Sequence, residues 1–439
     1  MLRLTIPMLF GIISLMLLGI ADMYFIGLLG TEPLAAAGFA LPITSIVSSV
    51  ALGIGMAQSS ITSRLVGEGR LNDGAQFVSH AQLFGLGVAL VLMFVGQASI
   101  QPLFSALGAD TQTLPLIHDY MATWYVAAPL LFITLLSTNA LRAIGDTRKS
   151  ALVSAQLALL NLALDPLLIF GWGPVPAYGI RGAAIATVIA TGITALTGVL
   201  ILARQEKLLD LSWPNQSDLR RNWRQLLHIA VPAVGANMMT PLAATAITAL
   251  IAGFGTAAVA GFGVGTRVEA MALVIVYALS STLPMFIGQN LGAGKPDRAY
   301  QALMGCLKFA LLLHLGVYLL LVVAGPWLAA QFSADPAVQD VIRAFLWILP
   351  ASYGAHGVVI LVMVALNVLQ RPRTALAITI IRLAILYVPL AYAGAHLGGL
   401  QGLFMGAALG NVLAAVWTAL IIRKDCREQG LAAPLVATA

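Results

Sequence analysis

Within "LALLNLALDPLLIFGWG", residues 157–173, Asn161, Asp165 and Pro166 interrupt an otherwise apolar run, and a second carboxylate, Asp22, stands in the apolar stretch "GIADMYFIG". A carboxylate at the centre of a bilayer costs ~2.5–3.5 kcal/mol on insertion scales, so such residues usually face a bundle interior and mark an ion or proton path. Asn161 precedes Asp165 by four residues, which puts the two on one helix face, where the amide can donate to the carboxylate or share an ion with it. Pro166 has no N–H and frees a backbone carbonyl one turn earlier. Two carboxylates brought close in a low dielectric cannot both ionise easily, so the pair has the chemistry of a reversible proton carrier. As a rival reading, Asp22, Asn161 and Asp165 offer oxygen ligands that sodium could use.

These residues must be held by membrane helices. The chain has 439 residues, 60% of them hydrophobic and 9% charged, with a mean hydropathy of +0.93. That composition excludes an ordinary soluble domain and points to an all-α polytopic membrane protein. A bilayer core needs roughly 20 apolar residues per helix. Twelve spans are predicted, at 4–29, 34–62, 76–100, 118–142, 150–173, 181–203, 225–253, 259–290, 299–330, 342–368, 374–397 and 399–422. The runs lack the strict alternation of membrane β-strands. The first is too long for a signal-peptide core and is expected to be retained.

The basic residues sort by loop, which accounts for the net charge of +6 without nucleic acid. With the N-terminus inside, 18 Lys and Arg fall on inner segments, Arg181 and Arg343 fall outside, and Arg267, Lys308 and Arg382 fall within spans. Both termini are therefore expected in the cytoplasm. At ~1.5 Å per residue, Asp22 and Asp165 each lie about 22–24 Å from the cytoplasmic edge, level with one another.

Slid against itself by 225 residues, the chain aligns Pro7 with Pro232, Gly30-Thr31 with Gly255-Thr256, Gly38 with Gly263, "GEGR" (67–70) with "GAGK" (292–295), and Arg148 with Arg373. Two pseudo-symmetric six-helix bundles follow. They are an N-terminal lobe at 1–203 and a C-terminal lobe at 225–422, joined by a basic cytoplasmic linker at 204–224 with interfacial Trp213 and Trp223, and followed by a tail at 423–439. An even number of helices per half makes the repeat parallel, an arrangement suited to alternating access. Asp22 falls on Ile247 and Asp165 on Leu390, so the second half has no equivalent acids.

Other residues carry weaker signals. Tyr120, Trp124, Tyr125, Asn139 and Thr187 are polar or aromatic groups on helices 4 and 6; Tyr120, Asn139 and Thr187 are candidates for a substrate cavity wall, and each singly also suits ordinary packing. Pro7 is a candidate bend in helix 1, and Pro232, Pro241 and Pro389 can kink their helices. Met238 and Met239 suit an adaptable apolar pocket or plain core filling. Glu269 has Arg267 as a near neighbour and suits a local charge pair, whereas Arg382 is unpaired in sequence and either lines a lumen or snorkels. Neither the six histidines nor Cys306 and Cys426 have metal-ligand or disulfide spacing. No metal or organic cofactor is expected.

The duplicated halves, "GIADMYFIG" in helix 1, "RLVGEGR" after helix 2, "RAIGDTRKS" between helices 4 and 5, and "NLALDP" on helix 5 together resemble the multidrug and toxic compound extrusion (MATE) transporters. An aspartate in helix 1 with Asn-x-x-x-Asp in helix 5, and no acid in helix 7, is similar to the DinF-type branch. The resemblance spans essentially the whole chain. It implies a V-shaped pair of lobes and export of drug-like organic cations or amphipathic small molecules, with Asp22, Asn161 and Asp165 as the first-lobe cation or proton network and Pro7 as the bend. A monomer in a bacterial inner membrane is expected, coupled to H+ or alternatively to Na+. Rival readings are a flippase of lipid-linked precursors, a passive channel, and an intramembrane aspartyl protease. Against the last, the chain has "GIAD" and "LALD" in place of a Gly-x-Gly-Asp loop, so an enzyme is not expected.

Overall fold

The computed structural model describes residues 2–210, 212–213 and 215–428, which are helical almost throughout. Lipid offers no hydrogen bonds to an exposed backbone, so long apolar runs must satisfy their peptide groups within helices. The first half forms α1 (Leu2–Gly27), α2 (Thr31–Gly67), α3 (Leu71–Ala106), α4 (Thr113–Ile144), α5 (Thr147–Phe170) and α6 (Ile180–Leu200), the last prolonged by a π-helical turn, Ile201–Gln205. The second forms α7 (Gln216–Ala252), α8 (Thr256–Ala272), α9 (Val274–Gly292), α10 (Pro296–Phe332) and α11 (Pro336–Ile348). A 3-10 turn, Leu349–Ser352, leads into α12 (Tyr353–Val368), then α13 (Pro372–Ile380), a π-helical segment, Ile381–Tyr387, and α14 (Val388–Glu428). Of the expected tail, residues 429–439 and the side chains of Cys426 and Arg427 lie outside the described residues.

Eleven of these segments are long and apolar enough to cross a membrane, the last being Pro372–Lys424. That last segment is two spans. Gly398 and Gly399 leave helical geometry within α14 (φ −143°, ψ 24°; φ 60°, ψ −146°). The limbs on either side then run antiparallel in close contact: a Cβ on Gly406 would lie 2.0 Å from the Leu390 carbonyl oxygen, and one on Gly394 2.0 Å from that of Gly402. Only glycine permits this approach. With the hairpin counted as two, the twelve predicted spans are present. The predicted eighth is broken at Leu273 into α8 and α9, and the predicted tenth at Leu349–Ser352.

The backbone repeats at the spacing of the sequence. Positive φ recurs at Gly30 and Gly255 (124° and 101°), at Gly69 and Gly294 (74° and 68°), and at Gly145 and Gln370 (102° and 62°). At the last pair the same left-handed turn is made by glycine in one half and by glutamine in the other.

The chain divides into two compact units, Met1–Val234 and Gly235–Ala439, so the division falls inside α7. Within the first unit, the connector and the start of α7 are fastened to α3. Asp210 N–H donates to Ser79 Oγ at 2.8 Å, the Trp223 indole donates to the His80 carbonyl at 2.9 Å, and Asn222 Nδ2 lies 2.9 Å from His80 Nδ1. Trp223 thus packs on α3, edge-on to Phe84, whereas Trp213 is 95% exposed. Outside the spans, hydrogen bonds from Ser212 hold the Asp210 carboxyl below the usual carboxylate range.

In the first unit α4 is central and packs against α2, α3 and α6, while α1 packs on α5. Glycines set the close approaches: Gly85 receives Leu136, and Gly96 receives the ring of Tyr125. In the second unit, Phe262, Phe345 and Phe404 stack edge to face in a core shared by α8, α11 and α14.

Candidate functional site

Asp22 and Asp165 meet because α1 and α5 lie side by side in register. Gly11 on α1 sits against Ala151 on α5; a Cβ there would be 3.3 Å from the Ala151 Cα. Both helices run the same way from this contact. The same offset carries Asp22 to a level between Asn161 and Asp165. Asp165 is fully buried, Asn161 is 2% exposed and Asp22 is half-buried, so Asp22 is the member nearer the surface of the unit.

The three side chains form one network. Oriented with its NH2 group toward the acids, the Asn161 amide donates to Asp22 Oδ1 at 3.0 Å and to the two Asp165 oxygens at 3.1 and 2.8 Å, while its carbonyl oxygen accepts from the Thr187 hydroxyl at 3.2 Å. The opposite orientation would set an amide oxygen against carboxylate oxygens, which is repulsive. The Asp22 and Asp165 carboxyl groups thus converge on a single amide. Two carboxylates held around one amide repel each other when both are ionised, so the arrangement favours a proton on the pair. The site can therefore hold one proton, or exchange it for another cation among the same oxygens.

Tyr120 stands close enough to both acids to feel their charge, and Thr187 closes the network from α6. The third residue assigned to a cavity wall, Asn139, is not brought to this cluster. It lies 19 positions beyond Tyr120 on α4, about 28 Å along the axis. There its amide donates to the Leu135 carbonyl at 2.8 Å and fills the space left by Gly55 of α2. Trp124 and Tyr125 are packing residues, buried edge to face. α1 continues as helix through Pro7. Among the described residues, no group of three His, Cys, Asp or Glu has the arrangement of a metal site.

A second polar cluster, in the Gly235–Ala439 unit, went unforeseen. Glu269 faces not Arg267 but His356 of α12, with Oε1 3.6 Å from Nδ1. Arg382 does not snorkel: it is 9% exposed, and its Nε donates to Asn411 Oδ1 at 3.3 Å, while Asn411 Nδ2 donates to Ser352 Oγ at 3.3 Å. These residues come from separate helices, so no local spacing announces them. The only signal in the sequence was the presence of a glutamate and an arginine within apolar runs.

A model of the MatE family matches the chain twice, over residues 7–167 and 232–393, beginning at the two prolines that align in the internal repeat. A protein of Shewanella oneidensis named FAD transporter is 41% identical over 97% of this chain and 94% of its own length. The multidrug export protein MepA of Staphylococcus aureus is 23% identical over 96% and 92%. Among solved structures, a mutant of the Vibrio cholerae MATE transporter VcmN superposes with a TM-score of 0.93 at 33% identity, covering 98% of this chain and 97% of that one. VcmN in its bent form gives 0.92 at 34% identity over the same shares.

Proposed function

The chain belongs to the MatE family of multi-pass membrane transporters, and on that footing we propose that it is a proton-driven efflux antiporter of bulky amphipathic molecules. It is a transporter and not an enzyme. The observation that supports the coupling is the convergence of Asp22 and Asp165 on the Asn161 amide within the spans, where two acids so placed favour taking up a proton. In the outward-open state, protons arriving through half-buried Asp22 neutralise the pair, and Asn161 and Thr187 rearrange around the neutral acids. α1 shifts about Pro7 and cargo leaves the first-lobe cavity. Loss of these protons on the cytoplasmic side restores the charged pair and its affinity for a new cargo. The chain works as a monomer in a bacterial inner membrane, with both termini inside, as its distribution of Lys and Arg supports.

The cargo has two readings. Similarity to MepA supports drug-like organic cations, which two buried acids would attract. Similarity to the FAD transporter is higher, 41% against 23%, and makes FAD the first molecule to test. The deciding experiment measures export of FAD and of a cationic dye by everted vesicles of cells expressing the wild type, Asp22→Asn or Asp165→Asn, with and without sodium. Export that depends on the proton gradient, persists without sodium and is lost in both variants is expected. Undiminished export with intact proton exchange in the variants overturns the assignment, and export that requires sodium moves the coupling to Na+ at the same three residues.

A further inference from the structure

The duplication gave each lobe the same helices but not the same buried charges. Counting back by the repeat, Glu269, His356 and Arg382 fall on Thr44, Leu131 and Leu157, while Asp22, Asn161 and Asp165 fall forward on Ile247, Leu386 and Leu390. Each cluster is thus absent from the other half. Glu269 and His356 moreover stand on the counterparts of α2 and α4, not of α1 and α5, and even on the one shared pair of helices the charges differ in depth. Asp165 is 18 residues from the start of α5, about 27 Å, whereas Arg382 is ten residues from the start of α13, about 15 Å. A purely structural network inherited from the ancestor would be expected in both halves at one height.

The second cluster has the composition of a titrating site. Glu269 of α8 and His356 of α12 face one another across 3.6 Å, longer than a hydrogen bond. His356 Nδ1 is buried and makes no hydrogen bond among the described residues, and the buried Tyr353 hydroxyl and His314 Nε2 are likewise unpartnered. Arg382, on the π-helical segment, is near enough to act on both members of the pair. No carboxylate lies within ion-pair distance of it among the described residues. Tyr277 of α9, His314 of α10, Tyr353 of α12 and Tyr387 of the π-helical segment complete the titratable groups that face the cluster. An imidazole beside a carboxylate is stabilised in its charged form, and an imidazole beside a guanidinium is disfavoured in it. His356 has both neighbours. Its proton therefore depends on where Arg382 stands, and Arg382 is carried by a π-helical stretch, a kind of irregularity often found at functional sites.

We propose that Glu269 and His356 form a second proton-binding site, separate from the Asp22–Asp165 pair, which takes a proton from water when Arg382 moves away and returns it to water when Arg382 closes in. Protonation converts the 3.6 Å gap into an ion-paired hydrogen bond, tying α8 to α12. Chemistry of this kind makes the second lobe a participant in coupling. It adds a proton to the cycle beyond those taken up by the first lobe.

The experiment measures proton release from purified full-length protein after a pH jump across about pH 5 to 8, the range of an ordinary histidine. The background is Asp22→Asn/Asp165→Asn, which silences the first pair, so the result stands whether or not that pair is the main coupling site. Released protons are expected to persist in this background. They should fall by about one per chain on adding His356→Gln, and be retained to higher pH on adding Arg382→Gln. Histidine-selective NMR of the same proteins, with the His356 signal assigned from its loss in His356→Gln, checks that the fold survives substitution. Release that is unchanged by His356→Gln, or a His356 signal that stays constant across the interval, overturns the proposal.

Discussion

Asn161 is the residue on which the first-lobe site turns, since its NH2 group meets both acids while its oxygen meets Thr187. Hydrogen bonds to charged groups are each worth about 1.5–3 kcal/mol and neutral ones about 1 kcal/mol. Asn161→Leu keeps the volume and removes the donors, and is expected to slow export in everted vesicles by about tenfold or more. Thr187→Val removes only the neutral partner, so its loss should be smaller than about tenfold. Equal rates for the two variants would show that the amide does not organise the acids. Asn161 and Asp165 were legible as a pair because four-residue spacing is a property of one helix. Their meeting with Asp22 depends on a tight contact between two helices more than 100 residues apart in sequence, at Gly11 and Ala151.

Among the elements, the hairpin formed by the limbs of α14 offers a clean test of packing. Gly406→Ala drives a methyl into the Leu390 carbonyl at 2.0 Å, whereas Gly316→Ala on α10 meets no atom within 4 Å. The first should lower the temperature at which the detergent-solubilised protein loses its monodisperse gel-filtration peak by several degrees. The second should leave it unchanged or raise it slightly, because alanine favours a helix by about 1 kcal/mol over glycine. A neutral Gly406→Ala would mean that the two limbs are not held so closely. Hydropathy foresaw these spans but not the break at Leu273, where no proline or glycine marks the interruption. Nor did it foresee that α7 would divide between the two units; the contacts of Asn222 and Trp223 with His80 hold its first turns to α3.

For the whole molecule, the distribution of Lys and Arg makes a topological prediction. A single cysteine at Trp213→Cys, with the native cysteines replaced, should react with a membrane-impermeant maleimide in everted vesicles and not in intact cells or right-side-out spheroplasts, because Trp213 is 95% exposed on the connector. The reverse labelling pattern would invert the molecule and with it the direction proposed for transport. By itself the sequence determined the membrane spans, their number, their repeat at 225 residues and the acids within them, since lipid forces each apolar run to satisfy its own backbone and makes each interior charge conspicuous. Only the tertiary structure decided which side chains meet. It brought Asp22 to Asn161 and Asp165, kept Asn139 against Gly55, and turned Glu269 from Arg267 toward His356. Those outcomes follow from how each helix is rotated and which neighbour it packs against. Small residues at particular contacts set both, and a run of uniformly apolar residues encodes neither.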